Sequence, residues 1–455
     1  MNGRSSIVED LTKGPLTKQM VLFSIPLILG NVLQTLYTMV DMAIVGRFCG
    51  RVGLAAVSTS GQLLMLLYGL GMALGVGCQI LIAQQIGGGD RSGAATTIGT
   101  GFTLTALVST GVAVLSIVLR RPLLALMNVP QEAAEAASAY MFWCAIGVPF
   151  NSVCSSMGSI LRGLGDSRHP MIFMAVSAAI NVVLDYVLVA LLGMEAAGAA
   201  IATTAAQIVG CLYCLGFMCR RRESLGIRLE ADFLKMDPAA AGIIVRLAAP
   251  LAVQTASINL SMMVINAWIN AYGVVASAVA GVGSKLYSLN SIVSGAMMTA
   301  EATFTGQNIA AGRHDRLRRS MKTALLFSLA FWGVSLIGCL ALPREIFSLF
   351  TSDAEVLAMA PDYMHIMIVM YLGFALISPV NGFLNGIGNV RLGLIIALVD
   401  GVAARLTLSF LLARVCGMGL YGYWLGSSLA GFVTVIWGWL YYGSGRWRER
   451  KLLVN

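Results

Sequence analysis

The residues of this chain that could do chemistry are ionisable and polar side chains placed inside long apolar stretches. Asp41 and Asp185 are the strongest candidates. Asn181 precedes Asp185 by one helical turn, and Gln34 and Tyr37 precede Asp41 at spacings that share a helix face. A charged side chain at the centre of a membrane helix costs about 2.5–3.5 kcal/mol on insertion scales. Each such residue therefore needs an explanation.

Two carboxylates grouped with an amide and a hydroxyl can exchange a proton for a cation such as Na⁺. Carboxylate, amide and hydroxyl oxygens are hard ligands, and removal from water favours the protonated carboxyl. Thr203 lies on the next stretch at a similar depth and supplies a hydroxyl. The pattern predicts a site for H⁺ or Na⁺, with Na⁺ held by the carboxylates. The alternative is that these side chains only hydrogen-bond neighbouring helices and hold the bundle together.

A second group of charged residues lies in the apolar stretches of the second half: Lys285, Glu301, Asp400 and Arg405. Lys285 and Glu301 are about 160° apart around one helix, so they cannot pair with each other. Asp400 could pair with Lys285 or with Arg405 across helices. We expect a polar network in which structural pairing is favoured over a direct role in transport.

The surrounding sequence has the composition of an integral membrane protein. Of 455 residues, 58% are hydrophobic and 11% are charged, against about 25% charged in soluble domains. We predict an all-α protein, because twelve stretches reach the roughly 20 apolar residues that a transmembrane helix needs. They are 17–45, 54–86, 92–119, 133–162, 169–192, 195–219, 239–271, 274–308, 317–342, 355–388, 391–414 and 418–442.

The net charge of +9 is explained by topology rather than by nucleic acid. With the N-terminus in the cytoplasm, the cytoplasmic loops and tails carry 21 Lys and Arg, against 6 on the opposite side. This asymmetry is the positive-inside rule, and anionic lipid headgroups are the expected partners of the basic clusters. We therefore predict a multi-pass protein of the plasma membrane with both termini cytoplasmic. We expect a monomer.

Several features that would indicate another class of protein are missing from the sequence. The first 16 residues are polar and lack the pattern of a signal peptide, so we expect the first apolar stretch to be retained as a helix. The sequence contains no phosphate-binding loop and no His-Glu-x-x-His motif, and we expect neither an enzyme nor a cofactor. The Cys211-x-x-Cys214 pair is interpreted as two buried thiols.

The chain is an internal duplication. AQQIGGGDR at 83–91 matches GQNIAAGRH at 306–314, and RGLGD at 162–166 matches NGIGN at 385–389, both at an offset of 223. At an offset of 224, Pro26 matches Pro250. Because each copy has six helices, the repeat is parallel. We predict an N-terminal lobe at 1–219, a cytoplasmic linker at 220–238, and a C-terminal lobe at 239–455 with a basic tail.

Pro26 lies within the first helix, where a proline removes a backbone hydrogen bond and kinks the helix. A hinge is therefore possible at this position.

The repeat also shows that the two halves differ in chemistry. Asp185 matches Ser409, and Asp41 matches Ile265, so any ion chemistry should be confined to the first half.

These motifs together resemble the multidrug and toxic compound extrusion (MATE) transporters. The resemblance rests on IPLILGNVLQTLYTMVDMAIVGRFCG, on LAAVSTSGQLL, and on the paired motifs AQQIGGGDR/GQNIAAGR and RGLGD/NGIGN. It is similar to the DinF-type branch, which implies proton or sodium coupling at Asp41, Asn181 and Asp185, with Gln34 and Thr203 as neighbours. The acidic residue that the NorM-type branch has in helix 7 is Ile258 here.

The resemblance implies an antiporter that exports amphipathic, often cationic organic compounds through a cleft between the lobes, driven by inward H⁺ or Na⁺. Its partners would be a small-molecule substrate and membrane lipids. One alternative is a flippase for a lipid-linked precursor, which would need a strongly cationic central cavity. Another is a membrane receptor or scaffold, which would not need paired intramembrane carboxylates.

Overall fold

Twelve long helices make up the computed structural model of the chain, which describes residues 8–127, 131–223 and 236–453. We number them α1 to α12 in chain order. They are Leu16–Phe48, Gly50–Gly87, Arg91–Leu126, Gln131–Gly163, Arg168–Leu191, Glu195–Arg220, Pro238–Asn270, Val274–Ala310, His314–Ala341, Ala354–Gly386, Val390–Val415 and Leu420–Ser444. The twelve predicted stretches are confirmed, and the largest difference is at the end of α3, which continues past residue 119 to Leu126.

Ten helices of the described residues are long and apolar enough to cross a membrane. The other two long helices are α8 and α12, which match α2 and α6 in the repeat. α8 is rich in glycine, serine and threonine and carries Lys285 and Glu301, which explains its lower hydropathy. Twelve membrane helices in two sets of six therefore follow from the lengths and from the repeat together.

Two of the helices contain π-helical turns, which are rare and are often found at functional sites. In α5 the turn Tyr186–Leu191 begins directly after Asp185. In α11 two such turns, Val399–Ala404 and Leu411–Val415, flank the segment Arg405–Phe410. The second of these matches the α5 turn at the repeat offset. The irregular backbone is thus next to the candidate ionisable residues in both copies.

The chain divides into two compact units whose bounds differ from the predicted lobes at two places. Unit 1 comprises Met1–Asp10 and Ile25–Ala249, and unit 2 comprises Leu11–Ser24 and Pro250–Asn455. The first turns of α1 therefore belong to unit 2, and the first turns of α7 belong to unit 1. Both divisions fall at or beside a proline, Pro26 or Pro250, where a missing backbone hydrogen bond allows the helix to kink. Most of the predicted linker, residues 224–235, lies outside the described part of the chain.

The segment Leu11–Ser24 is held in unit 2 by Arg316 of α9. The guanidinium of this buried residue donates to the carbonyl oxygens of Leu11 at 3.0 Å and of Gly14 at 2.8 Å. The backbone N–H of Leu11 donates to Oε1 of Gln307 at 3.0 Å. Hydrogen bonds from a charged donor are among the stronger ones in proteins. These contacts explain why the start of α1 belongs to the unit of the second repeat.

The motif RGLGD at 162–166 makes a sharp turn that starts α5. Gly165 has a φ of +97°, which is costly for a residue with a side chain. The carboxylate of Asp166 accepts from the backbone N–H of Arg168 at 2.9 Å and of His169 at 3.2 Å. The N–H of Glu9 donates to the carbonyl of Leu164 at 3.0 Å, and burial followed by the nearby Asp166 raises the pKa of Glu9.

Unit 1 owes its close packing to small residues on α2 and α4. A Cβ added to Gly75 would lie 3.0 Å from Cα of Ser156 and 2.9 Å from Oγ of Ser159. Small residues that let two backbones approach are typical of membrane helix interfaces. The Gly71-x-x-x-Gly75 spacing in the sequence is therefore explained as a packing feature.

We expect Gly75→Ala to destabilise the protein, because the added methyl group must displace the backbone of α4. Overpacking of this kind typically costs about 1–3 kcal/mol. The melting temperature of the purified protein in detergent measures the effect. Gly69→Ala is the matched control, since a Cβ at Gly69 meets no atom within 4 Å. Equal melting temperatures for the two variants would contradict the packing interpretation.

Candidate functional site

The predicted site residues of unit 1 lie on α1, α5 and α6. Asp41 is in the last two turns of α1, and Asp185 is the last residue of α5 before its π-helical turn. Asn181 lies one turn before Asp185, and Thr203 lies on α6. Both α5 residues are buried, Asn181 at 3% exposure and Asp185 at 0%.

The carboxyl groups of Asp41 and Asp185 are close enough to interact with each other. Within the described residues, neither oxygen of Asp185 has a hydrogen-bond partner, and neither does Oδ1 of Asp41. The described residues also contain no ion pair to either carboxylate. An ionised carboxylate without a partner is costly in a buried position such as that of Asp185, so uptake of a proton or a cation would stabilise this arrangement.

Asn181 connects the carboxyl pair to α6. Its Nδ2 donates to Oγ1 of Thr203 at 3.3 Å, while its Oδ1 is buried without a partner in the part of the chain that the structure describes. An amide oxygen without a donor is a suitable ligand for a hard cation. The described residues hold no group of three or more His, Cys, Asp or Glu side chains fit for a metal ion. A Na⁺ ion bound here would therefore need neutral oxygens, such as this one, besides the carboxylates.

Two residues of α4 lie near the carboxyl pair, and a further polar contact joins α2 to α6. The side chains of Tyr140 and Cys144 on α4 are within electrostatic range of Asp41. On α6, Nε2 of Gln207 donates to the hydroxyl of Tyr68 at 3.2 Å, and Oε1 of Gln207 is buried without a described partner. Sequence reasoning missed this second orphaned amide, although its position one turn after Thr203 could have indicated it.

Gln34 and Pro26 were also predicted as functional residues, but the structure shows no hydrogen bond between either of them and the carboxyl pair among the described residues. Gln34 is exposed, seven residues before Asp41 on α1, and its carbonyl accepts from Oγ1 of Thr38. Pro26 is buried and lies next to the division between the two units. Tyr37, between them and Asp41, is within electrostatic range of both carboxylates.

The charged residues of unit 2 do not form one network. Asp400 and Arg405 make a buried ion pair with 3.0 Å between Oδ1 and Nη2, and Oγ1 of Thr434 donates to the other carboxylate oxygen at 2.8 Å. The Nε of Arg405 has no partner among the described residues. Lys285 is exposed. The charge of Arg405 is thus balanced by Asp400, on its own helix.

Glu301 is fully buried and apart from that ion pair. Its Oε1 accepts from Oγ1 of Thr305 at 2.7 Å and from Oγ of Ser320 at 2.9 Å. The described residues hold no cation in an ion pair with it, and its Oε2 lacks a partner there. Lys285 precedes it on α8 by 16 residues, about 24 Å along the helix. Glu301 therefore joins α8 to α9 through the hydroxyl of Ser320.

A family model described as MatE matches the chain twice, over residues 26–187 and 250–411. Both ends of the second match are 224 residues after those of the first, which confirms the internal repeat. Each match begins at a proline, Pro26 or Pro250. The two matches together cover well over half of the chain.

The chain is also similar over most of its length to named transporters. It is 27% identical to the Probable multidrug resistance protein YoeA of Bacillus subtilis (strain 168), over 98% of this chain and 97% of that one. It is 25% identical to a protein of Shewanella oneidensis named FAD transporter, over 81% of this chain and 82% of that one. Among solved structures, an outward-facing multidrug resistance MATE family transporter of the MOP superfamily superposes with a TM-score of 0.89 at 23% identity, covering 100% of both chains.

We expect Asp400→Asn to destabilise the protein, because it leaves Arg405 buried without a counter-charge. Breaking a buried ion pair in this way typically costs about 3–5 kcal/mol. The double variant Asp400→Leu/Arg405→Met removes both charges and should recover most of the loss. Thermal unfolding in detergent measures both. A single variant as stable as the wild type would contradict a structural role for the pair.

Proposed function

Because the chain belongs to the MatE family, we propose that it is a secondary active exporter of amphipathic cationic organic compounds, driven by inward movement of H⁺ or Na⁺. Its named relatives include multidrug resistance proteins, and the chain is a multi-pass membrane transporter like them. We propose three properties beyond membership of the family: antiport, the coupling ion and the class of substrate.

The observation that carries the proposal is the pair of carboxyl groups of half-buried Asp41 and fully buried Asp185, with no basic side chain paired to them among the described residues. Two carboxylates close together cannot both stay ionised in an apolar environment without a cation. An incoming H⁺ or Na⁺ neutralises them, and so does an organic cation. The two kinds of cation therefore compete for the same negative charge.

Competition for one charge gives antiport by alternating access when the empty site does not reorient, and the cost of unneutralised carboxylates in an apolar environment disfavours that empty step. Binding of the coupling ion lowers the affinity for the substrate, and the substrate lowers the affinity for the ion by the same factor. If the two cations do not occupy the site together, each change between the inward-open and outward-open states carries either the ion or the substrate across the membrane. The gradient of H⁺ or Na⁺ then drives the organic cation outward.

The location and assembly of the transporter are also proposals. The excess of Lys and Arg on one side supports cytoplasmic termini in the plasma membrane. We also propose that the working unit is a monomer. No resident cofactor is needed for this mechanism, since the coupling ion passes through.

The flippase alternative receives less support from the charges. A pyrophosphate-linked lipid needs several unpaired cations, but Arg405 is balanced by Asp400. The relative named FAD transporter makes a dinucleotide the second candidate substrate. The unpaired carboxyl groups of unit 1 favour a cation over these anions.

We expect the purified protein in proteoliposomes to export ethidium when a gradient of H⁺ or of Na⁺ is imposed. Asp41→Asn and Asp185→Asn should each abolish this efflux, because asparagine keeps the volume and loses the titratable charge. Glu301→Gln is the matched control, a buried carboxyl of unit 2 held by two hydroxyl groups, and it should keep near-normal efflux. Monodisperse protein at normal yield establishes that each variant is folded.

Normal efflux by folded Asp41→Asn would contradict the coupling role. Efflux that is lost in Glu301→Gln but kept in both aspartate variants would move the ion site to unit 2. If ethidium is not moved and FAD or a labelled lipid precursor is, the cationic class of substrate is wrong, while the transporter assignment stands.

We also expect Asn181→Ala to separate the two coupling ions. A proton needs only one carboxylate oxygen, whereas Na⁺ needs several oxygen ligands. The variant should raise the Na⁺ concentration for half-maximal efflux by roughly tenfold, which corresponds to about 1.4 kcal/mol of lost binding free energy. Proton-driven efflux should change little. An equal loss under both gradients would show that Asn181 serves the fold rather than ion binding.

A further inference from the structure

An apolar groove of about 490 Å³ lies on the membrane-facing side of unit 2, between α9, α10 and α12. Its walls contain no charged side chain, and they are lined by Leu325, Leu376, Val435, Ile436, Trp439 and Leu440. Ile436 and Leu440 are more than half exposed. The groove is therefore open to lipid and has the chemistry of a site for hydrocarbon.

Two cations stand beyond one end of the groove, on the same face of α9 as Leu325. Lys322 and Arg318 precede Leu325 by three and seven residues, about 4.5 and 10.5 Å along the helix axis. Both side chains are exposed. Arg318 is within electrostatic range of Tyr442 near the end of α12, which places it by the same end of the groove.

The start of α9 and the end of α12 lie on the same side of the membrane. The rings of His314 and Trp447 are in edge-to-face contact at 5.5 Å. Trp439 lies one and a half turns before the end of α12, and its Nε1 donates to the carbonyl of Leu376 at 3.0 Å. A tryptophan fixed at this depth is typical of the boundary between headgroups and acyl chains. The groove thus begins where a phospholipid's chains begin.

The repeat shows that the fold does not require these residues. At offsets of 223 and 224, Arg318 and Lys322 match Ala95 and Gly99 on α3, and Trp439 matches Leu215 on α6. Unit 1 builds the equivalent helices without the two cations and without the indole. The two cations and the indole are therefore particular to unit 2.

We propose that this groove binds an anionic phospholipid, with one acyl chain along the apolar walls and the phosphate held by Arg318 and Lys322. The spacing fits, because the cations stand about 5–10 Å beyond the groove along α9. Neither cation is in an ion pair among the described residues, Asp315 pairs with Arg313 at 3.5 Å, and Glu301 accepts from hydroxyl groups inside the unit. The site is independent of the ion site in unit 1.

Native mass spectrometry of the full-length protein tests this site, with phosphatidylglycerol and phosphatidylcholine of identical acyl chains as probes. The wild type should retain one phosphatidylglycerol in preference to phosphatidylcholine. Arg318→Gln/Lys322→Gln should weaken retention of phosphatidylglycerol about 30-fold, a factor of about five for each cation near the membrane surface. The control Arg220→Gln/Arg222→Gln removes two exposed cations from the end of α6 and should retain the lipid.

The groove itself is tested by Ile436→Trp, which fills it and should weaken retention of both lipids. Leu326→Trp is the matched control, since Leu326 is equally exposed, at 55%, and does not line the groove. Undiminished phosphatidylglycerol on the Arg318/Lys322 variant, or equal losses in variant and control, would overturn the proposal. The proposal would also be overturned if inorganic phosphate stabilised the protein against heat as much as phosphatidylglycerol does. A mass that shows a second copy of the chain in place of the lipid would likewise contradict it.

Discussion

The structure depends on the cost of leaving a charge or a polar group unpaired in hydrocarbon. The chain meets this constraint in three ways. Arg405 is paired with Asp400, and Glu301 accepts from two hydroxyl groups. Asp41 and Asp185 have no such partner among the described residues, and we propose that a mobile cation satisfies them. Glu301 differs from the Asp41/Asp185 pair because one of its oxygens accepts two hydrogen bonds, while its Oε2 has no partner among the described residues.

The same constraint explains the irregular backbone of the helices. Prolines and π-helical turns leave backbone groups without their usual partners, which is tolerated only where other groups supply hydrogen bonds. The π-helical turn after Asp185 thus lies where side-chain oxygens also lack hydrogen-bond partners among the described residues. The divisions beside Pro26 and Pro250 show a related effect, because a helix whose hydrogen-bond ladder is broken can place its two parts in different compact units.

Most of the fold could be predicted from the sequence, because apolar length defines membrane helices and an internal repeat relates them. The residues of the carboxyl pair were also accessible, since an acidic residue in an apolar stretch is conspicuous. The sequence did not predict that the first turns of α1 belong to unit 2 and those of α7 to unit 1. For α1, this division depends on contacts such as those of Arg316 with the carbonyls of Leu11 and Gly14. Gln207 was not predicted as a site residue, because an amide carries no charge and only the structure shows that its oxygen lacks a described donor.

The central claim is that the coupling ion and the substrate compete for Asp41 and Asp185. Equilibrium binding of tetraphenylphosphonium to the purified protein, measured over a range of pH and of Na⁺ concentration, tests it without any need for transport. The account predicts that affinity falls as H⁺ or Na⁺ rises, and that this dependence disappears in Asp185→Asn. Affinity that is independent of both ions in the wild type, or an unchanged dependence in the variant, would contradict it.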